Sequence, residues 1–324
     1  MHHADGTVRS PVSVASPADA TVAATRVPAL RQRVLLGTLA VAVGVIVAGL
    51  WNPRLVDGFG RDVVMGQTLG NSHELAESFS VRGLSFGFLF AGLAGLAATF
   101  TACNCVVFTM VPGLACASDQ AGSRVGVLKP LGLFIAAVLL VSASYGAVVG
   151  LLGSDGIGAY NAARGAQARI VFSLIGIAML AWGVLDLNQA LPDTILGRLR
   201  VWLSPVERRA TIMGLLVGLF GVGRPFPVMR DFLSYAASAE SPLYGAAVMA
   251  IEGLGQIAIM LVLLIGLASV FRKPLMRWST RFPQGVTIAP AVALLGGGAF
   301  FLAYWGIFPL FDLGGWGFRL GWYG

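Results

Sequence analysis

The chain has 324 residues, 56% of them hydrophobic and only 11% charged, with a formal charge of +7. Soluble domains carry about 25% charged residues, so this composition excludes an ordinary globular core and marks an all-α polytopic membrane protein. The excess of arginine is not a nucleic-acid footprint, because in such proteins loop position governs where Lys and Arg collect.

Residues 1–33 are rich in Ala, Ser, Val and Pro and include four arginines, which reads as a disordered basic tail. The apolar run 34–51 follows at once. It ends in Asn52-Pro53-Arg54-Leu55 with no small-x-small cleavage site, so it is expected to be an uncleaved anchor helix. A polar, Gly-containing segment occupies 52–82. Six further apolar spans are expected over about 83–112, 130–152, 169–187, 210–236, 243–270 and 286–310.

Seven membrane helices place 1–33, 113–129, 188–209 and 271–285 on one side, with fourteen Lys and Arg against six on the other. The positive-inside bias then puts the N-terminus in the cytoplasm and the C-terminus outside. Segment 52–82 and the aromatic tail 311–324 would be extracytoplasmic. Three cysteines in the chain make no secreted disulfide scaffold.

The last six spans divide into two three-helix repeats, 83–187 and 210–310, joined by the loop 188–209. Each repeat opens with a long span carrying a breaker. In the first it is Cys103-Asn104-Cys105 followed by Pro112-Gly113; in the second it is Gly221-Val222-Gly223-Arg224-Pro225-Phe226-Pro227. An odd number of spans per repeat inverts one half relative to the other. Paired interrupted helices in inverted halves point to a site near the midplane.

Cys103, Cys105 and Cys116 fall within fourteen residues. A lipid-buried thiol is inert, whereas a thiolate needs a nearby cation, a helix N-terminus or water. Two thiols flanking Asn104 beside the Pro112-Gly113 break favour redox or soft-metal chemistry over plain packing. Cys-x-Cys can close a strained, labile ring, and Cys116 either resolves a mixed disulfide or is structural. Arg224, between Gly223 and Pro225, should face protein or water, since a charge facing lipid is costly. It would lower a thiol pKa or bind an anion. Glu252 and Gln256 lie one helical turn apart inside a span, where an ionisable group acts as proton carrier, as counter-ion or as a structural partner of Arg224. Asp186 and Asn188 read as cap or interface residues. His2, His3 and His73 make no metal-ligand spacing with the cysteines, and no resident metal or cofactor is expected.

This layout resembles the cytochrome c biogenesis / DsbD transmembrane (CcdA-like) family. Phe100 to Gly113 is similar to that family's first motif, and Gly221 to Pro227 to its second. The resemblance implies transfer of reducing equivalents from a cytoplasmic thioredoxin-like donor to an extracytoplasmic thiol–disulfide protein, as in cytochrome c maturation at the bacterial inner membrane. It also implies one cysteine per repeat. The second motif departs here, with Phe226 at the expected cysteine, so a disulfide between the halves cannot form. Either Cys103 and Cys105 form the couple alone, or the scaffold performs another task. The alternatives are transport of a small solute, a sulfur oxyanion or a soft metal ion, which thiolates favour, and a non-catalytic assembly role.

Overall fold

The computed structural model describes residues 30–99, 124–187, 195–270 and 283–323, and every regular element among them is helical. In chain order these are α1 (Leu30–Gly49), α2 (Pro53–Gly58), a π-helical stretch (Phe59–Met65), α3 (Ser72–Glu77), α4 (Phe79–Thr99) and α5 (Arg124–Leu187). There follow α6 (Ile195–Leu203), α7 (Val206–Gly223), α8 (Pro227–Ala237), α9 (Pro242–Val270) and α10 (Pro283–Phe301). A second π-helical stretch (Leu302–Ile307) and two short helices, α11 (Phe308–Phe311) and α12 (Trp316–Arg319), complete the chain. Five helices among the described residues are long and apolar enough to cross a membrane, or six if the bent pair α7–α8 counts as one span. The chain is a multi-pass membrane protein.

Helix α5 is two arms, 124–152 and 154–187, meeting at Gly153, where φ is +61° and only glycine sits without strain. Sequence pattern alone predicts a connecting segment over 153–169, but the second arm is helical from its start. The Ala-rich stretch Tyr160 to Ala168 has the intrinsic propensity for this, and its polar residues turn inward to partners that periodicity cannot anticipate. Segment 52–82 likewise folds onto the bundle. Asn52 and Asn71 cap α2 and α3 by accepting backbone N–H bonds, and Met65 and Leu75 are buried.

Small residues let the helix backbones touch, as expected where lipid supplies no hydrophobic drive between helices. A Cβ on Gly95 would strike the Glu252 carbonyl, and one on Gly146 the Gly245 carbonyl. Gly214 lies against Phe134, Gly218 against Val138 and Val141, Gly176 against Gly298, and Gly183 against Ala291. These registers fix directions. Helix α4 runs parallel to α9, with Gly95 at Glu252 and Thr99 at Gln256. Helix α7 runs parallel to the first arm of α5. The first arm is antiparallel to α9, and the second arm antiparallel to α10. Leucines and valines such as Leu35, Leu39, Leu140, Leu174 and Leu263 face outward, as helices in acyl chains require.

Replacing Gly146 by Leu should therefore separate α9 from the first arm and destabilise the fold by about 1–3 kcal/mol. Thermal unfolding in detergent would read this as a lowered Tm. Gly132→Ala meets open space and should leave the Tm unchanged.

Candidate functional site

Helix α7 stops at Gly223 because of two consecutive X-Pro steps. A proline pushes the residue before it out of the α region. Arg224 (φ −68°, ψ 118°) and Phe226 (φ −66°, ψ 129°) are accordingly extended, before Pro225 and Pro227. Pro227 occupies the first turn of α8, where its missing N–H costs nothing. The two helices meet at a bend of 85°.

A break within an apolar bundle frees carbonyls that must find donors. Here the donor is Arg164, whose Nη2 bonds to the Arg224 carbonyl and whose Nη1 lies 3.1 Å from the Tyr145 hydroxyl. Tyr160 donates to that same hydroxyl at 3.1 Å. The Gly153 hairpin makes this possible by folding the arm carrying Arg164 and Tyr160 back against the arm carrying Tyr145.

The Arg224 side chain is different. It is 2% exposed, yet Nε, Nη1 and Nη2 have no hydrogen-bond partner. Glu252 is fully buried on α9 and both its carboxylate oxygens are likewise unserved. The two charges attract at longer range, with Arg164 contributing more weakly, but they do not touch. A Cβ on Gly221 would stand 3.4 Å from Gln256 Oε1 and 3.9 Å from Glu252 Oε2, so this glycine brings the α7 backbone up to both side chains. Gln256 Nε2 donates to the Val217 carbonyl at 3.3 Å. An uncompensated buried charge costs several kcal/mol, so this arrangement does not serve stability.

Segment 52–82 covers α4 beside the site, with Gly60 against the Ala97 carbonyl. Asp57 on half-buried α2 feels the charges of Arg224 and Arg61, but burial outweighs both and pushes its carboxyl above the ordinary 3.8. Farther along, Ser72 donates to buried Asp231 on α8 at 2.6 Å, with His73 Nδ1 and Arg230 Nε each 3.9 Å from the same carboxylate. Tyr235 and Tyr244 donate to the Gly83 and Leu84 carbonyls at 2.7 and 2.9 Å, pinning the start of α4 at its positive-φ glycine. At the other end of α4, Thr99 donates to the Gln256 carbonyl at 2.9 Å.

Of the residues expected from sequence, Gly223, Arg224, Glu252 and Gln256 gather at the break, while Pro225 and Pro227 shape it and are exposed. Cys103, Cys105, Cys116, Pro112, Gly113 and Asn188 lie outside the described residues. Asp186 forms a two-pronged ion pair with Arg209, at 2.6 and 3.0 Å. Sequence pattern misses Arg164, Tyr145 and Asp57. The one available signal was an arginine within an Ala-rich stretch able to extend the following span. Among the described residues no three His, Cys, Asp or Glu side chains converge as metal ligands.

The fold and site together define a multi-pass helical membrane protein with a buried charged cluster at an interrupted helix. Comparison with known proteins gives no matching family model, no matching curated protein and no matching solved structure.

The raised Asp57 carboxyl sets a testable pH dependence. The folded state holds this proton more tightly than the unfolded chain does. Stability is therefore lost as pH rises from the ordinary value of 3.8 through the elevated one. Asp57→Asn cannot ionise, so its Tm should equal that of wild type at the acid end of a detergent melt series and exceed it above the window. A constant Tm difference across pH would contradict this.

Proposed function

We propose that the protein is a thiol–disulfide relay of the bacterial inner membrane. It would carry reducing equivalents from a cytoplasmic thioredoxin-like donor to an extracytoplasmic thiol–disulfide protein, as in cytochrome c maturation. The observation that carries this reading is the anchoring of Thr99 on Gln256, a residue that together with Glu252 borders the end of α7, and Glu252 feels the charge of buried Arg224. Thr99 is four positions before Cys103 in the sequence. A nearby positive charge is what converts an inert membrane thiol into a reactive thiolate.

The proposal includes seven spans, with the arms of α5 crossing separately, the N-terminus in the cytoplasm and the C-terminus outside. Helix directions support the two inverted repeats. The first helix of each half, α4 or α7, runs parallel to the second helix of the other half, α9 or the first arm of α5. The second helices pair antiparallel with each other, and so do the third. An exchange of halves by a pseudo-two-fold axis in the membrane plane demands this pattern.

In the reaction, a donor thiolate attacks the oxidised pair and forms a mixed disulfide while one protein thiol leaves. The second donor thiol resolves it, so two electrons and two protons reach the Cys103–Cys105 pair and the donor becomes a disulfide. Reversing these steps toward the acceptor on the other side reduces that partner and restores the starting state. Cys116 stands as a candidate resolving thiol.

A thioredoxin retaining only its attacking cysteine should be trapped as a mixed disulfide by the wild type. Trapping should disappear in Cys103→Ser or Cys105→Ser, whichever carries the attacked sulfur. An adduct that survives in the double variant, or no adduct with oxidised wild type, rejects the relay.

A further inference from the structure

We propose that Arg224 is the binding residue for a small monovalent oxyanion, a carboxylate or a sulfur oxyanion, and that Glu252 holds the proton that binds with it. The site needs no cysteine, so it stands or falls separately from the relay.

Three observations converge on it. First, a guanidinium has five N–H donors in a planar fork matched to two oxygens, and it stays charged. On Arg224 all three nitrogens lack partners among the described residues although the side chain is 2% exposed. Second, the neighbouring arginine is differently employed. Arg164 holds the Arg224 carbonyl and the Tyr145 hydroxyl, which fixes the backbone from which the Arg224 side chain projects. Third, the helix after the break begins three residues beyond Arg224. Helix α8 has eleven residues, begins with Pro227 and has no side-chain cap at Phe226, so the first-turn N–H groups of Val228 and Met229 are unserved by a cap. A positive dipole end beside an extended, broken helix is the arrangement that receives anionic groups in membrane carriers.

Glu252 sets the coupling. Its oxygens have no donor, and the charged groups facing it are Arg224 after α7, then Arg164 on the second arm of α5. Among the described residues, the other elements packed around it add no free ionisable group. Helix α4 offers glycine backbone and Thr99, the first arm of α5 offers Tyr145 tied to Arg164, and on α8 Asp231 and Tyr235 are bound to Ser72 and Gly83. Asp57 from the covering segment is the remaining carboxyl within range of Arg224. An incoming monoanion would meet the Glu252 and Asp57 carboxylates as like charges. Protonation of Glu252 removes the nearer repulsion and supplies an O–H donor to the bound oxyanion. Anion and proton together leave the net charge of the site unchanged, which a low-dielectric interior requires.

The test uses the purified full chain in neutral detergent without added lipid, so that lipid phosphate supplies no signal. Thermal stabilisation by acetate and by methanesulfonate, which stays monovalent throughout, is measured at constant ionic strength with chloride as background, from pH 5 to pH 8. Wild type should show saturable stabilisation by at least one of these anions, its affinity falling by up to tenfold per pH unit as Glu252 deprotonates. Arg224→Met should remain folded, since an apolar side chain replaces an unpaired buried charge, and should lose the saturable effect. Glu252→Gln keeps the shape and an N–H donor, so binding should persist with a flat pH profile. Saturable binding undiminished in Arg224→Met overturns the site. A pH slope unchanged in Glu252→Gln overturns the coupling, and absence of saturation in folded wild type at every pH overturns both.

Discussion

Everything at the centre of this molecule follows from one constraint: backbone released from a helix inside an apolar bundle must find partners made of protein. Two X-Pro steps push Arg224 and Phe226 out of the helical region, so the chain between Gly223 and Pro227 has to run extended. The Arg224 carbonyl then requires a donor, and Arg164 supplies it from another helix. That demand explains why the second arm of α5 stays helical past its polar residues, since only a helix beginning at Gly153 carries Arg164 to the break. It also explains the tyrosine pair, Tyr145 and Tyr160, which holds the arginine in place.

The same constraint separates structural charge from idle charge. Arg164, Asp186 and Arg209, and Asp231 all have defined partners, and each joins elements distant in sequence. Arg224 and Glu252 have none among the described residues, though both are as deeply buried as the apolar core. In a bundle whose helices meet through glycine, and whose large aliphatic residues face outward, a polar pair left without partners stands apart. A buried unpaired charge is costly enough that folding alone would favour its replacement.

The covering segment 52–82 adds a second layer. Its contacts to α4 and α8 run through Gly60 against the Ala97 carbonyl and through Ser72 on Asp231. Asp57 is thereby held within the field of Arg224.

By itself the sequence determined the class of protein, because apolar runs of span length admit few other readings, and it located the break, because proline restricts the residue before it wherever it occurs. Arg224, Glu252 and Gln256 were legible for the same local reason: polar groups inside apolar runs are conspicuous. Tertiary structure alone decided which polar groups meet. Arg164 sits in a stretch that looks like a loop until its partner, sixty positions away, is in view. Asp57 looks like one polar residue among many until the covering segment folds down. Pairing across helices depends on register and on glycine-to-backbone approach, and neither leaves a periodic trace in the chain.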